Sequence, residues 1–188
     1  PKYAGLTGSA TLVGWVRDNQ VIRQGKLGPD EEAALLLDRS GFYAEQGGQV
    51  GDTGKLRTPT GVFAVEDTQK LGDSVLHVGR VIEGRLESGQ PVTYEIGGDR
   101  PHTMRNHTAT HLLNWALRKV LGDHIDQKGS LVDPEKTRFD FTHDKPLTAE
   151  QTAEVERLVN QQIYADLPVT PCPRRLADAT QLPGRRAG

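Results

Sequence analysis

The stretch Asn106-His-Thr-Ala-Thr-His-Leu-Leu-Asn-Trp-Ala-Leu-Arg-Lys-Val-Leu-Gly122 is the point at which the apolar pattern of the chain changes. Its apolar residues recur three and four positions apart, which places them on one stripe of an α-helix. The stripe consists of Ala109, Leu112, Leu113, Ala116, Leu117, Val120 and Leu121. Gly122 marks the expected end, because glycine commonly follows the last helical residue. The sequence therefore predicts an amphipathic helix of about 18 residues after Pro101.

Before this helix, short apolar runs are separated by glycine and polar turns. The runs are residues 11–16, 33–37, 62–65, 74–78 and 91–96. From 74 to 80, successive residues alternate between two faces, as in a strand with one buried side. Turns are expected at 18–20 and 97–99, which are rich in Asp, Asn and Gly. This pattern predicts a small antiparallel β-barrel over residues 1–98.

After the helix, the pattern combines a hairpin with a second helix. Residues 129–132 and 137–141 read as two strands, joined by a turn at 133–136 that contains Pro134. Thr148-Ala-Glu-Gln151 has the form of a capping box, which predicts a helix that ends near Ala165. We therefore predict an α+β fold, in which the barrel is followed by an α+β domain over residues 99–188.

The composition excludes several classes of protein. The chain has 188 residues, of which 35% are hydrophobic and 26% are charged, and its mean hydropathy is −0.55. These values are typical of a soluble globular protein. No apolar run approaches the roughly 18 residues that a spanning helix needs, and no signal pattern is present, so we expect a cytoplasmic protein without a membrane partner. The single cysteine, Cys172, excludes an intrachain disulfide.

The charge distribution indicates where a polyanion would bind. Residues 1–100 carry 11 basic and 14 acidic side chains, whereas residues 101–188 carry 12 basic and 11 acidic ones. Arginines cluster near the end of the chain, at Arg174, Arg175, Arg185 and Arg186. A nucleic-acid contact is therefore expected in the second half. The alternative is that this cluster is an ordinary solvated tail.

His107 and His111 are candidate metal ligands. They lie four residues apart on the predicted helix, a spacing that lets two imidazoles hold one ion. At about 100° per residue, both point away from the apolar stripe, so the alternative is a solvated polar face. No glutamate lies between them, which disfavours a metalloprotease. Cys172 is a further candidate ligand, but a lone cysteine is more often a small buried hydrophobe.

A second candidate region is the glycine-rich stretch Ser40-Gly-Phe-Tyr-Ala-Glu-Gln-Gly-Gly-Gln-Val-Gly-Asp-Thr-Gly54. Five glycines in 15 residues allow the backbone to bend through positive φ or to approach a partner closely. Such a loop can cradle a phosphate or a ribose. It lacks the lysine and the strand–loop–helix setting of an ATP-binding phosphate loop. The alternative is a set of hairpin turns within the barrel.

Four motifs together carry a resemblance to a known family. They are Ser40-Gly-Phe-Tyr-Ala-Glu-Gln-Gly-Gly-Gln49, Asn106-His-Thr-Ala-Thr-His-Leu-Leu113, Gln127-Lys-Gly-Ser-Leu-Val132 and Arg138-Phe-Asp-Phe141. In order and separation they resemble the editing region of alanyl-tRNA synthetase. Its editing domain is shared with freestanding alanyl-tRNA editing proteins and with threonyl-tRNA synthetase. The resemblance covers essentially the whole chain, which we expect to be an excised piece of a longer protein, truncated within the editing domain.

The resemblance implies hydrolysis of alanine tRNA that has been mischarged with serine or glycine. The implied partner is the acceptor end of that tRNA. The family holds zinc by a His-x-x-x-His pair, matched by His107 and His111, and by a later Cys-x-x-x-His pair. No such second pair follows in this sequence. Its single cysteine is Cys172, and the residue four positions later is Leu176 instead of a histidine. We therefore expect zinc to be absent or weakly bound in this chain and its deacylase activity to be low.

The resemblance also implies roles for individual residues. Gln127 matches a glutamine implicated in editing, and Thr110 matches a threonine that lines the pocket. We take both as catalytic candidates, because an amide or a hydroxyl can orient a water molecule or an ester. The substrate-binding candidates are Gly47, Gly48, Gln49 and Arg138. Two alternatives remain open: a non-catalytic module that binds the tRNA acceptor end, and a freestanding editing protein.

Overall fold

The computed structural model describes residues 5–168, which form a mixed α+β fold. By its internal contacts the chain divides into two compact units. Among the described residues, the first comprises 5–106 and 131–136, and the second comprises 107–130 and 137–168. The predicted domain boundary after residue 98 thus falls within the first unit. None of the helices in the described range is long and apolar enough to cross a membrane.

The first unit contains an antiparallel barrel. Its strands are β1 (Thr7–Arg17), β2 (Gln20–Ile22), β3 (Lys26–Leu27), β4 (Glu32–Leu37), β5 (Gly54–Thr58), β6 (Gly61–Leu71), β7 (Ser74–Gly84), β8 (Leu86–Glu87) and β9 (Pro91–Ile96). The sheet has the order β2-β1-β4-β7-β6-β5-β9, and an additional pairing of β1 with β9 closes it. Six of these strands therefore form a ring, with β2 paired outside it. Separately, β3 pairs with β8.

Strand β1 closes the barrel because it pairs with two neighbours in succession. Its first half pairs with β9, from Thr7 opposite Glu95 to Thr11 opposite Pro91, and its second half pairs with β4. The register with β4 shifts between Leu12 and Gly14. Gly14 has a φ of 155°, and a Cβ there would collide with the Ile22 carbonyl oxygen. Glycine is therefore required at this position of β1, beside the end of β2.

The barrel interior is filled by large apolar side chains. The most deeply buried, each at most 2% exposed, include Leu12, Trp15, Leu27, Leu35, Leu56, Phe63, Val81, Leu86 and Val92. The predicted alternation of β7 is confirmed, since His77 and Gly79 are buried whereas Val78 and Arg80 are exposed. All five predicted apolar runs lie within strands. Strand β5 was not predicted, because only Leu56 among its residues is buried.

A buried histidine stands among these apolar residues. The Nδ1 atom of His77 lies 3.1 Å from the Leu35 carbonyl oxygen, and its Nε2 atom lies 2.8 Å from the Ser40 hydroxyl oxygen. Since a carbonyl can only accept, Nδ1 carries the proton and Nε2 accepts from Ser40. Burial lowers the pKa of His77 to about 4. The imidazole is therefore a neutral part of the barrel interior at pH 7.

Two helices and a hairpin complete the elements of the part of the chain that the structure describes. They are α1 (Arg100–Leu121), β10 (Gln127–Val132), β11 (Thr137–Phe141) and α2 (Ala149–Ala165). The prediction of α1 is confirmed, although the helix has 22 residues and starts one residue before Pro101. Pro101 fits there because the first turn of a helix needs no donor at that position. The hairpin and the end of the second helix are confirmed as well.

The core of the second unit lies between its helices and hairpin. Ala116, Leu117, Ile125 and Val155 are buried, and Phe139 and Phe141 pack against them. The capping box at Thr148 is present: its hydroxyl accepts from the Gln151 N–H, and the Gln151 side chain accepts from the Thr148 N–H. The stripe predicted on α1 thus provides part of this core.

Candidate functional site

His107 and His111 lie on the part of α1 that belongs to the second unit, close to where that unit begins. The rings of His107 and His111 are stacked, with centroids 5.1 Å apart and an interplanar angle of 26°. His111 is exposed and His107 is half-buried, whereas Ala116 and Leu117 on the same helix are buried. The pair therefore occupies a different face from the core stripe, as the sequence predicts.

The histidine pair supplies part of the donor set that a zinc ion needs. Two imidazoles four residues apart suit two positions of a tetrahedral shell, which needs four ligands when the site is structural. Within residues 5–168, no group of three or more His, Cys, Asp or Glu side chains is arranged to hold a metal ion. Cys172, the other candidate from the sequence, lies outside the described residues. This part of the chain thus fits as half of a zinc site.

Thr110 lies between the two histidines in sequence but faces a different neighbour. Its side chain belongs to a residue that is only 5% exposed, and its Oγ1 atom lies 2.6 Å from the Thr137 Oγ1 atom. This hydrogen bond joins α1 to the start of β11. The contact gives Thr110 a positioning role for the helix that carries the pair; lining of a pocket by Thr110 stays a prediction.

Gln127 and Arg138 lie on the exposed side of the β10–β11 hairpin. The Gln127 Nε2 atom donates to the Ser130 Oγ atom at 3.3 Å, so its amide is held at the first position of β10. The Arg138 Nε atom donates to the Asp140 carboxylate at 3.2 Å, and the arginine side chain is 64% exposed. Both side chains are thus accessible to a ligand, and their assigned roles stay predictions.

The glycine-rich stretch contains a tight hairpin turn in the first unit. The backbones of Gln46 and Gln49 exchange hydrogen bonds, and the intervening Gly47 and Gly48 have φ values of 62° and 82°. Positive φ at both central residues is the signature of a type I′ turn, which favours glycine. The turn alternative noted from the sequence is therefore present. Any contact of Gly47 and Gly48 with substrate stays a prediction.

The same turn is held by the end of β10. The Val132 N–H donates to the Gly48 carbonyl at 2.7 Å, and the Val50 N–H donates to the Val132 carbonyl at 3.1 Å. Gln49, a predicted substrate-binding residue, is only 4% exposed. Its backbone forms a parallel bridge with Val132. The structure therefore gives Gln49 a place in the support of the loop.

A buried ion pair that the sequence did not reveal anchors the loop to α1. The Arg100 guanidinium donates to the Asp52 carboxylate and, at 3.1 Å, to the Gly41 carbonyl. The Tyr43 N–H donates to the same carboxylate at 2.6 Å. Burial raises the pKa of the Asp52 carboxyl group, while the Tyr43 N–H and the Arg100 charge act in the opposite direction. The first residue of α1 thus holds both ends of the loop.

A second contact of the first unit joins α1 to the hairpin turn. The Asn106 Nδ2 atom donates to the Asp133 carbonyl at 2.8 Å. Neither Arg100 nor Asn106 could be selected from the sequence, because their partners lie 48 and 27 positions away. The glycine-rich loop, the first turns of α1 and the tip of the hairpin therefore form one connected backbone support.

The chain is similar to known tRNA synthetases. A family model described as tRNA synthetases class II (A) matches residues 1–100, which is more than half of the chain. A relative in Coxiella burnetii, named alanine–tRNA ligase, is 48% identical over 165 residues. Relatives of the same name in Dechloromonas aromatica and Methylococcus capsulatus are 45% and 46% identical over 182 and 170 residues.

These alignments cover most of the chain but little of each relative. They span 88%, 96% and 89% of this chain, and 19%, 21% and 19% of the three relatives in the same order. The chain therefore spans about a fifth of the length of the curated relatives that it matches.

Proposed function

The chain belongs to the alanyl-tRNA synthetase family, and from this premise we propose that it forms part of an editing site for mischarged alanine tRNA. The reaction is hydrolysis of the ester that joins serine or glycine to the tRNA. The observation that carries the proposal is the stacked, accessible pair His107 and His111 on a helix anchored through Thr110. We also propose a cytoplasmic location, where aminoacyl-tRNA is used.

The physical need for such a site follows from the size of the amino acids. A pocket for alanine cannot exclude glycine, which is smaller, and it rejects serine weakly because one hydroxyl costs little to admit. Discrimination of the required size then needs a second, hydrolytic site. The second unit of this chain, which carries the candidate metal ligands His107 and His111, is suited to that task.

The chain's own residues have distinct parts in the proposed reaction. His107 and His111 would hold zinc, which supplies Lewis acidity when bound. Gln127 offers an amide with a donor and an acceptor, so it can orient the attacking water or the ester carbonyl without changing protonation. Thr110 fixes the helix through Thr137.

The proposal is tested by seryl-tRNA hydrolysis in two proteins. One is the 188-residue chain, and the other is a longer family chain that continues through the second ligand pair. We expect the longer chain to be active and His107→Ala to reduce its rate at least about 100-fold, since a lost Lewis acid removes several kcal/mol of transition-state stabilisation. His102→Ala, an exposed histidine on the same helix, is the matched control. Equal rates for the His107 and His102 variants would contradict the proposal.

The second candidate function is a module that binds the tRNA acceptor end without catalysis. For the 188-residue chain it is supported by the donor set, since within residues 5–168 no third His, Cys, Asp or Glu side chain is arranged beside the pair to hold an ion. The two functions separate in one measurement. If the longer chain binds seryl-tRNA at micromolar concentrations but hydrolyses it no faster than buffer, the binding module is the correct description.

A further inference from the structure

A second pair of histidines lies at the other end of the hairpin. The His124 Nε2 atom is 3.0 Å from the His143 Nδ1 atom, and the two rings meet edge to edge, with centroids 5.2 Å apart and an interplanar angle of 27°. His124 is exposed and His143 is half-buried. Together with Phe141, Thr142 and Asp144 they line a surface depression of about 730 Å³. The editing proposal uses none of these residues.

We propose that His124 and His143 form a separate binding site for a borderline divalent transition-metal ion such as Zn²⁺ or Cu²⁺. Imidazole nitrogens bind these ions at about 2.0–2.1 Å, so two nitrogens at adjacent positions of the shell lie about 2.9–3.4 Å apart. The His124 and His143 nitrogens lie 3.0 Å apart, which falls within that range. They face each other across a hydrogen bond, so both rings turn to direct their lone pairs at one ion. Imidazole is a preferred ligand of both metals.

The backbone around this pair is already fixed. The Thr142 hydroxyl donates to the His124 carbonyl at 2.7 Å and accepts from the Asp126 N–H at 2.9 Å. The Thr142 N–H donates to the Asp126 carbonyl at 3.0 Å. Three hydrogen bonds therefore join the segment after α1 to the segment after β11. These bonds keep the backbone of His124 beside that of Thr142, the neighbour of His143, so the two side chains start close together and chelation needs only their rotation.

The protons of the pair are compatible with metal binding. In the metal-free pair, one ring nitrogen donates the hydrogen bond and the other accepts it. Metal binding through Nε2 of His124 and Nδ1 of His143 places the remaining proton of each neutral ring on its other nitrogen. Both rings stay neutral, and only the tautomer of the donor changes. No oxidant, reductant or additional base is needed.

The pair is too far from His107 and His111 to share their ion. His124 lies three positions beyond the end of α1 at Leu121, and Leu121 lies ten helical positions beyond His111. At about 1.5 Å per residue this helical segment is about 15 Å long. In the described part of the chain no third ligating side chain completes the site. Water therefore fills the remaining positions of the shell.

The test uses the 188-residue chain carrying His107→Ala, His111→Ala and Cys172→Ser, so that neither the first pair nor the thiol competes. Zn²⁺ is titrated calorimetrically, and Cu²⁺ is followed by electron paramagnetic resonance. We expect one ion per chain and nitrogen hyperfine structure from two imidazoles. Adding His143→Ala should weaken Zn²⁺ binding about tenfold or more. The variant loses the second imidazole, which binds the ion within the same molecule and so raises the affinity. His102→Ala should leave the affinity unchanged.

Two results would overturn the proposal. The first is equal Zn²⁺ affinity with and without His143→Ala. The second is the absence of binding up to millimolar Zn²⁺ in the background chain, with His143→Ala lowering only the thermal midpoint, which would make the pair a hydrogen bond alone. Circular dichroism of each variant verifies that the chain is folded. Neither result bears on seryl-tRNA hydrolysis, so the editing proposal is tested independently.

Discussion

His77 shows at the scale of one residue how burial in the barrel creates a dependence on pH. Its pKa is about 4 in the folded chain, below the ordinary 6.5. Between pH 4 and pH 6.5, unfolding is therefore accompanied by binding of a proton to His77. The contribution of neutral His77 to the free energy of unfolding is fully present above about pH 6.5. That stability falls as the pH decreases from 6.5 toward 4 and then levels off.

We predict that His77→Gln removes this component of the pH dependence. The variant should be about 1–3 kcal/mol less stable at pH 7, because the buried partners Ser40 and Leu35 lose part of their hydrogen bonding. Its stability should fall less than that of the unaltered chain between pH 6.5 and 4.5, as measured by urea unfolding. His102→Gln, at an exposed position, is the control. Parallel curves for the His77 variant and the unaltered chain would show that His77 does not titrate as described.

Gln127 allows a second prediction at this scale, which rests on the proposed editing function. In the longer family chain, Gln127→Ala and Gln127→Leu should slow seryl-tRNA hydrolysis at saturating substrate at least about tenfold, the equivalent of one hydrogen bond. Folding and zinc content should be nearly unchanged, because the side chain is exposed. Gln161→Ala, an exposed glutamine on α2, is the control. Full activity with a lowered thermal midpoint would make Gln127 a structural residue of β10.

Elements whose pattern is local could be predicted from the sequence. The stripe of α1, the capping box of α2 and the alternation of β7 each lie within a few turns or residues, so periodicity identifies them. Strand β5 could not be found in this way. It exists because its backbone pairs with β6 and β9 on its two sides. Tertiary pairing of this kind has no local signal.

In the candidate site too, residues related by local spacing could be predicted, whereas contacts between distant positions could not. The i, i+4 spacing identified His107 and His111, because two side chains at that spacing share a helix face. The Arg100–Asp52 pair and the pairing of Val132 with the glycine-rich loop join positions far apart in sequence. The histidines at 124 and 143 lie 19 positions apart, and their contact depends on the pairing of β10 with β11.

The glycine-rich turn leads to a prediction at the scale of an element. Gly47→Ala should lower the free energy of unfolding by about 1–2 kcal/mol, because alanine is strained at the positive φ of the turn. Free space surrounds a Cβ at this position, so a clash does not contribute. Gly98→Ala, which also meets open space but has no left-handed φ, is the matched control. Equal urea midpoints for both variants would argue against the type I′ turn.

For the whole molecule, the distribution of charge gives a prediction that rests on the proposed function, namely that tRNA contacts the second half of the chain. We expect Arg174→Gln with Arg175→Gln to reduce the slope of log affinity against log salt by about 1–2 units, since each lost phosphate contact removes about 0.7–0.9. Both arginines lie outside the described residues. The control is Arg17→Gln with Arg80→Gln, because these barrel arginines are already paired with Glu31 and Glu66. The affinity of each double variant for alanine tRNA is measured by fluorescence anisotropy at several salt concentrations. An equal reduction of the slope in both double variants would show that the tRNA contact is not confined to the second half.

The pairing of β1 with β9 has a consequence for synthesis of the chain on the ribosome. Thr7 needs Glu95 as its partner, so the first half of β1 leaves the exit tunnel long before β9 is made. At roughly 5–20 residues per second, the delay is on the order of ten seconds. During this time an unpaired strand edge is open to other nascent chains. Translation pauses before residue 95 would therefore increase aggregation, whereas pauses after β9 would favour correct closure.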